Sequence, residues 1–217
     1  MDSFSFILSV LPLLLKAALM TIQLTLLAIF FGTIIGLVVA LSKIVDRPVL
    51  NCIGGFYTWF FRGVPLLVQL VFLYYGLPAV DIVLSPFQAA VIGLSLCGGA
   101  YIAEIIRAGI QSIEKGQMEA ALSLGMSYSQ AMRRVIIPQT YRRLLPPMGN
   151  EFITLLKDVA LVSVISMEEL LRTAQLQNAT YFRPFELYGT VAVLYLILTS
   201  FFTVAVNLLE KRLAISE

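Results

Sequence analysis

The sequence predicts an all-α membrane protein with five transmembrane helices and a patterned cytoplasmic loop between spans three and four. Three observations carry that fold class. Of 217 residues, 59% are hydrophobic and only 13% charged, where a soluble domain has about 45–50% and about 25%. Charge-free runs long enough to cross a bilayer recur along the chain. Lys and Arg then collect on one side of those runs.

A hydrocarbon core about 30 Å thick needs about 20 mostly apolar helical residues. The charge-free run from Ala17 to Ser42 gives span one at 17–42. The 16 residues before it have no basic start and no small-residue cleavage site, which argues against a removable signal peptide and places them along the outer interface. Gly32 and Gly36 form a small-xxx-small pair suited to helix packing. Span two, 52–78, joins the apolar stretch from Cys52 to Phe61 with the run from Gly63 to Val80, past Arg62. Pro65 within it predicts either a kink that frees the Phe61 carbonyl, with Gln69 one turn further on, or a packed bend. The run from Ile82 to Ala103 gives span three at 84–106, and that from Leu187 to Leu209 gives span five at 187–209. Span four, 143–167, is weaker in hydropathy, with Glu151, Lys157 and Asp158 inside it.

Charge placement tests that fourth span. With the N-terminus outside, Lys43, Arg47, Arg107, Lys115, Arg133, Arg134, Arg142, Arg143, Lys211 and Arg212 fall on the cytoplasmic side. Lys16, Arg172 and Arg183 fall outside, and Arg62 and Lys157 within spans. Without span four the C-terminal pair would lie opposite the central cluster, so five spans with a cytoplasmic C-terminus is the consistent solution. The net charge of +2 is too small and scattered to suggest a nucleic-acid partner. No His is present, which removes His-based metal sites and triads. Cys52 and Cys97 have no metal-ligand spacing and read as small core residues.

The stretch 111–139 is too polar to cross and too patterned to be an idle loop. Met118, Ala121, Leu122 and Gly125 recur at i, i+3, i+4, i+7, predicting a short amphipathic helix with Glu119 and Ser123 on its other faces. Gly125 suits a left-handed cap, and Ser127 with Gln130 forms a capping box that starts a second helix. Pro138 is expected to break that second helix.

The residues EAALSLG at 119–125, followed after nine positions by VIIP at 135–138, resemble the Glu-Ala-Ala loop of bacterial ABC importer permeases. RGVPLLVQL at 62–70, AYIAEIIRAGIQSI at 100–113 and GNEFITLLKD at 149–158 are similar to the polar-amino-acid uptake branch of that family, the His/Glu/Gln/Arg/cystine type. The resemblance covers nearly the whole chain. Val159 and Ala160 depart from it, since the family commonly has Thr or Ser there. The resemblance implies one permease domain over 1–217 in the bacterial inner membrane, carrying polar amino acids into the cytoplasm. It implies as partners an extracytoplasmic amino-acid-binding protein, a second permease (homodimer or paralogue) and two ABC ATPase subunits. Glu119, Ala120, Ala121 and Gly125 would then be the coupling contacts, docking in a groove of the ATPase. The resemblance implies no catalytic residue, cofactor or metal in this chain, with ATP and Mg on the partner; no GxxxxGK[ST] phosphate loop occurs in the sequence. The rival for the loop is an amphipathic helix resting on membrane lipid, which favours Lys and Arg opposite Trp or Phe. The rival for the protein is a self-sufficient secondary transporter or channel, for which an inverted repeat is the expected mark.

Ionisable groups inside spans cost about 2.5–3.5 kcal/mol each on insertion scales and face the bundle interior, so they locate a substrate pathway. Asn150, Thr154, Lys157 and Leu161 share one stripe of span four, with Glu151 and Asp158 beside it. Tyr101, Glu104, Ala108 and Gln111 form a stripe in span three, flanked by Arg107. The candidate pathway set is Gln69, Glu104, Asn150, Glu151, Thr154, Lys157 and Asp158. Glu104 and Arg107 also suit mutual neutralisation at i, i+3, and Lys157 and Asp158 also suit pairing across helices; both alternatives stay open.

Overall fold

The computed structural model describes residues 2–45 and 47–213; the terminal residues that would carry the C-terminus into the cytoplasm lie outside them. Among the described residues every regular element is helical.

Helix α1 runs Ser3–Ile44, 42 residues without a break, about 63 Å at 1.5 Å per residue. Asp2 starts it by accepting the Ser5 N–H. The residues before Ala17 from Ser3 onward therefore continue the helix of span one instead of forming a separate element. Packing is the reason: Phe6, Val10, Leu14 and Ala18, at four-residue spacing, are buried against Leu170, Ala174, Leu187 and Val191. Pro12 sits on the exposed side.

Helix α2, Pro48–Gly63, meets the next helical segment, Leu66–Val80, at 98°. That segment is α3 (Leu66–Val71) followed by a π turn, Phe72–Gly76, and a 3-10 turn, Leu77–Val80. Helix α4, Pro86–Gln111, starts at a capping box between Ser85 and Gln88 with Pro86 in the first turn. It packs along α1 at the two glycines of the small-residue pair. A Cβ on Gly36 would come 2.7 Å from Ile102 Cγ2, so this closeness of approach requires glycine. Cys97 of α4 is buried, but Cys52 lies on the exposed side of α2, so only one of the two cysteines is a core residue.

Helix α5 (Lys115–Ser123) and the short α6 (Tyr128–Ala131) follow. A π turn, Met132–Ile136, then leads straight into α7, Ile137–Asp158. Pro138 therefore does not break the helix as expected. It sits in the first turn of α7, where a missing N–H is tolerated, and the wider π turn before it makes room for the ring.

Helices α1, α4 and α9 (Pro184–Leu213) are long and apolar enough to cross a membrane, and the bent α2–α3 pair makes a fourth candidate. The stretch expected as span four does not meet that standard. Helix α7 carries Arg142, Arg143, Glu151, Lys157 and Asp158, and gives way to 3-10 turns at Val159–Ile165. Helix α8, Leu170–Tyr181, is capped by Glu169, whose fully buried carboxylate accepts the Leu171 and Arg172 N–H groups and the Tyr195 hydroxyl. Burial pushes this carboxyl above its ordinary range while those donors oppose the rise.

Candidate functional site

Two regions carry chemistry. The first is a cavity of about 250 Å3 where the α2–α3 bend, α4 and α7 converge, lined by Arg62, Pro65, Gly98, Tyr101, Glu151, Thr154 and Asp158 among others. Each element reaches it for a local reason. Pro65 supplies no N–H to the Phe61 carbonyl, and the 98° bend also strands the Val64 carbonyl. The Gln69 amide donates to both, at 3.0 and 2.8 Å, and the buried Cys97 thiol lies 3.7 Å from the Phe61 oxygen. The Phe61 carbonyl is thus not left free: Pro65 makes a packed bend, and Gln69, expected in the pathway, is 6% exposed and bonds its amide inside that bend. Its Oε1 is buried without a hydrogen-bond partner among the described residues.

On α7, Glu151, Thr154 and Asp158 fall at i, i+3, i+7 and so face one way. Two carboxyls and a hydroxyl line the same cavity as the Arg62 guanidinium, which lies 5.3 Å from the Tyr101 ring centroid. The cavity offers sites for both an ammonium and a carboxylate. Arg62 lies outside the pathway set expected from the sequence; its signal there is an arginine inside an apolar run, three residues before a proline.

The other predicted pathway residues lie elsewhere. Asn150 and Lys157 are exposed and do not line this cavity, and Lys157 makes no ion pair among the described residues. Glu104 pairs with Arg107, as its spacing allowed, at 2.7 Å. It also pairs with Lys43 of α1, which in turn donates to Thr58 Oγ1 of α2 at 2.9 Å. One carboxylate thus ties α1, α2 and α4 together, with Lys43 and Glu104 side chains 14% and 17% exposed. Removing one partner of a buried pair of this kind costs about 3–5 kcal/mol. The sequence placed Lys43 in a loop, and only the fold brings it to Glu104.

The second region is the 111–139 stretch. Helix α5 ends as its sequence suggested: Gly125 has φ +82°, its N–H bonds the Leu122 carbonyl at 2.9 Å, and the Met126 N–H bonds the Ala121 carbonyl at 3.2 Å. The Ser127–Gln130 capping box is formed in both directions. The expected apolar face is only partly covered. Ala121 is buried and Met118 half-buried, but Leu122 is 43% exposed; Leu124, off that face, is 80% exposed. Glu119 and Ala120 are exposed as well.

Among the described residues the chain is helical throughout, with several helices apolar enough to cross a membrane, a charged cavity between them and an uncovered short helix, an arrangement suited to a membrane transport component. The profile of the family described as "Binding-protein-dependent transport system inner membrane component" matches residues 28–215, and the chain belongs to that family. It is 39% identical to the glutamine transport system permease protein GlnP of Escherichia coli (strain K12), with 94% of each chain covered. It is 41% identical to the L-cystine transport system permease protein TcyB of Bacillus subtilis (strain 168), covering 89% of this chain and 83% of that one. Its structure superposes on the crystal structure of an amino acid ABC transporter with histidines with a TM-score of 0.93 and 42% identity, covering 98% and 99% of the two chains. The chain is thus a multi-pass inner-membrane permease component, non-catalytic itself, with ATP handled by a partner ATPase. Membership in a binding-protein-dependent family decides against a self-sufficient secondary transporter or channel.

Proposed function

We propose that this permease carries polar amino acids inward through the cavity formed by Arg62, Tyr101, Glu151, Thr154 and Asp158. One observation carries the reading: carboxyls and a guanidinium share one cavity of about 250 Å3, which suits a zwitterion with a small polar side chain. Relatives at about 40% identity bear the names of glutamine and L-cystine systems, which supports the polar class and leaves the individual amino acid to experiment. The chain works with a second permease, identical or paralogous, two ATPases and an extracytoplasmic binding protein. Helix α5 is the coupling lever, with Glu119 facing a basic groove residue of the ATPase and Ala120, Ala121 and Gly125 allowing close approach. The exposed Leu122 and Leu124 support docking against protein, since the flanking basic and aromatic residues of a lipid-resting helix are missing between Gln117 and Gly125.

Five spans at about 17–42, 52–78, 84–106, 143–167 and 187–209, with the N-terminus outside, remain the reading that fits the charge distribution. On it, α7 is a span because its charges face the cavity and a partner instead of lipid.

Vesicles holding the assembled transporter should accumulate a polar amino acid only when ATP and the binding protein are both supplied. Accumulation independent of the binding protein, or of no polar amino acid in a full panel, would reject the function. Orientation is tested in a Cys52→Ser background, because Cys52 is exposed. A cysteine replacing Gln117 should be shielded from an impermeant thiol reagent in intact cells, and one replacing Gln177 should react; the reverse pattern overturns both orientation and span number.

A further inference from the structure

Where the 111–139 stretch runs into α7, Arg134, Val135, Pro138, Gln139 and Arg142 line a notch of about 280 Å3, apart from the substrate cavity and from the Gly125 cap. Arg134 and Arg142 are exposed and make no hydrogen bond or ion pair among the described residues. Beside them, Ile137 is 52% and Tyr141 57% exposed. A helix face that alternates free guanidiniums with uncovered aliphatic and aromatic groups suits a boundary between phosphate and hydrocarbon.

Depth along the helix places that boundary. Asp158 ends α7 and Arg142 stands 16 residues before it, about 24 Å, with Arg134 about 12 Å further. On the span proposed above, 143–167, the cytoplasmic edge of the hydrocarbon falls beside Arg142, with Arg134 on its aqueous side. Guanidinium groups match phosphate oxygens with paired N–H donors, and Tyr141 sits where aromatic side chains meet headgroups.

We propose that this notch binds the headgroup phosphate of an anionic phospholipid of the cytoplasmic leaflet, held by Arg134 and Arg142 with Ile137 and Tyr141 against its acyl chains. The leaflet assignment rests on the orientation proposed above. An acidic face of the ATPase is the other surface that would suit guanidiniums, and the depth and the uncovered Ile137 and Tyr141 favour lipid. The notch also touches the coupling loop. The Gln139 amide donates to Val135 O at 3.1 Å and to Gln117 Oε1 of α5 at 3.3 Å, so an occupied notch steadies the start of α7 against the lever.

The complete transporter in phosphatidylcholine nanodiscs, titrated with fluorescent phosphatidylglycerol, tests this. Arg134→Gln/Arg142→Gln should bind phosphatidylglycerol about thirtyfold more weakly, as expected for two cations at an anionic surface, with binding of a phosphatidylcholine probe unchanged. Arg172→Gln, at the opposite end, should leave both unchanged. If the double variant fails to assemble, each single variant should show a loss of about fivefold. Equal phosphatidylglycerol affinity in wild type and variants overturns the proposal. So does loss of the ATPase from the double variant in lipid-free detergent with lipid affinity intact, which assigns the arginines to subunit docking. Nanodiscs expose both faces, so the lipid result stands apart from orientation, which the cysteine at Gln117 decides.

Discussion

Gly125→Arg is expected to abolish ATP-driven uptake, with a loss well beyond about tenfold, while the permease still inserts and the substrate cavity stays intact. The reason lies in the end of α5. Gly125 holds φ +82° and closes the helix through paired bonds from its own N–H and that of Met126, a geometry that costs an L residue about 1 kcal/mol or more. A Cβ there meets nothing within 4 Å, so Gly125→Ala bears the backbone strain alone and should retain most activity. Arginine adds the same strain plus a long cation at the face that docks on the ATPase, next to Ala121. The pair of variants separates the two effects: equal loss in both would make the cap a folding element, and normal uptake by Gly125→Arg would remove α5 from the coupling role. Uptake and ATPase activity are measured on the same vesicles, because uncoupling leaves hydrolysis without transport.

Glu151→Gln should lower uptake about ten- to hundredfold, the range expected when a contact of about 1.5–3 kcal/mol to a charged group is removed. Glu151 faces the cavity with Asp158 and makes no ion pair among the described residues. The substitution keeps volume and hydrogen bonding and removes only the charge a substrate ammonium would meet. Loss should appear in transport and in substrate-stimulated ATPase activity, with little change in assembly. If Glu151 instead neutralises a cation on the second permease, its loss strands a buried charge at about 3–5 kcal/mol, seen as poor complex yield. A well-assembled variant with wild-type transport of every polar amino acid tested would refute the assignment.

Much of this was legible before any coordinates. The Gly125 cap and the Ser127–Gln130 box depend on backbone hydrogen bonds within a few residues, and such local rules act the same way in any surroundings; a break at Pro65 was readable too, but not that Gln69 would pack it closed. The Glu104–Arg107 pair was readable for the same reason, being one turn apart on one helix. The π turn before Pro138 was not, because its sequence, MRRVI, carries no mark that separates it from an ordinary helical turn.

By itself the sequence determined that this chain lives in lipid, that one polar loop is a structured element, and which family resemblance it carries, because composition, charge placement and capping chemistry are properties of short stretches. Only the tertiary structure decided which charges meet. It joined Lys43 to Glu104 across α1 and α4, brought Glu151, Thr154, Asp158 and Arg62 to the lining of one cavity, left Asn150 and Lys157 outside it, and spent the Gln69 amide on two carbonyls of the bend. Periodicity assigns a residue to a face of its own helix. Which neighbour that face meets is set by helix crossings, here by close packing at Gly32 and Gly36 and by the 98° bend at Pro65.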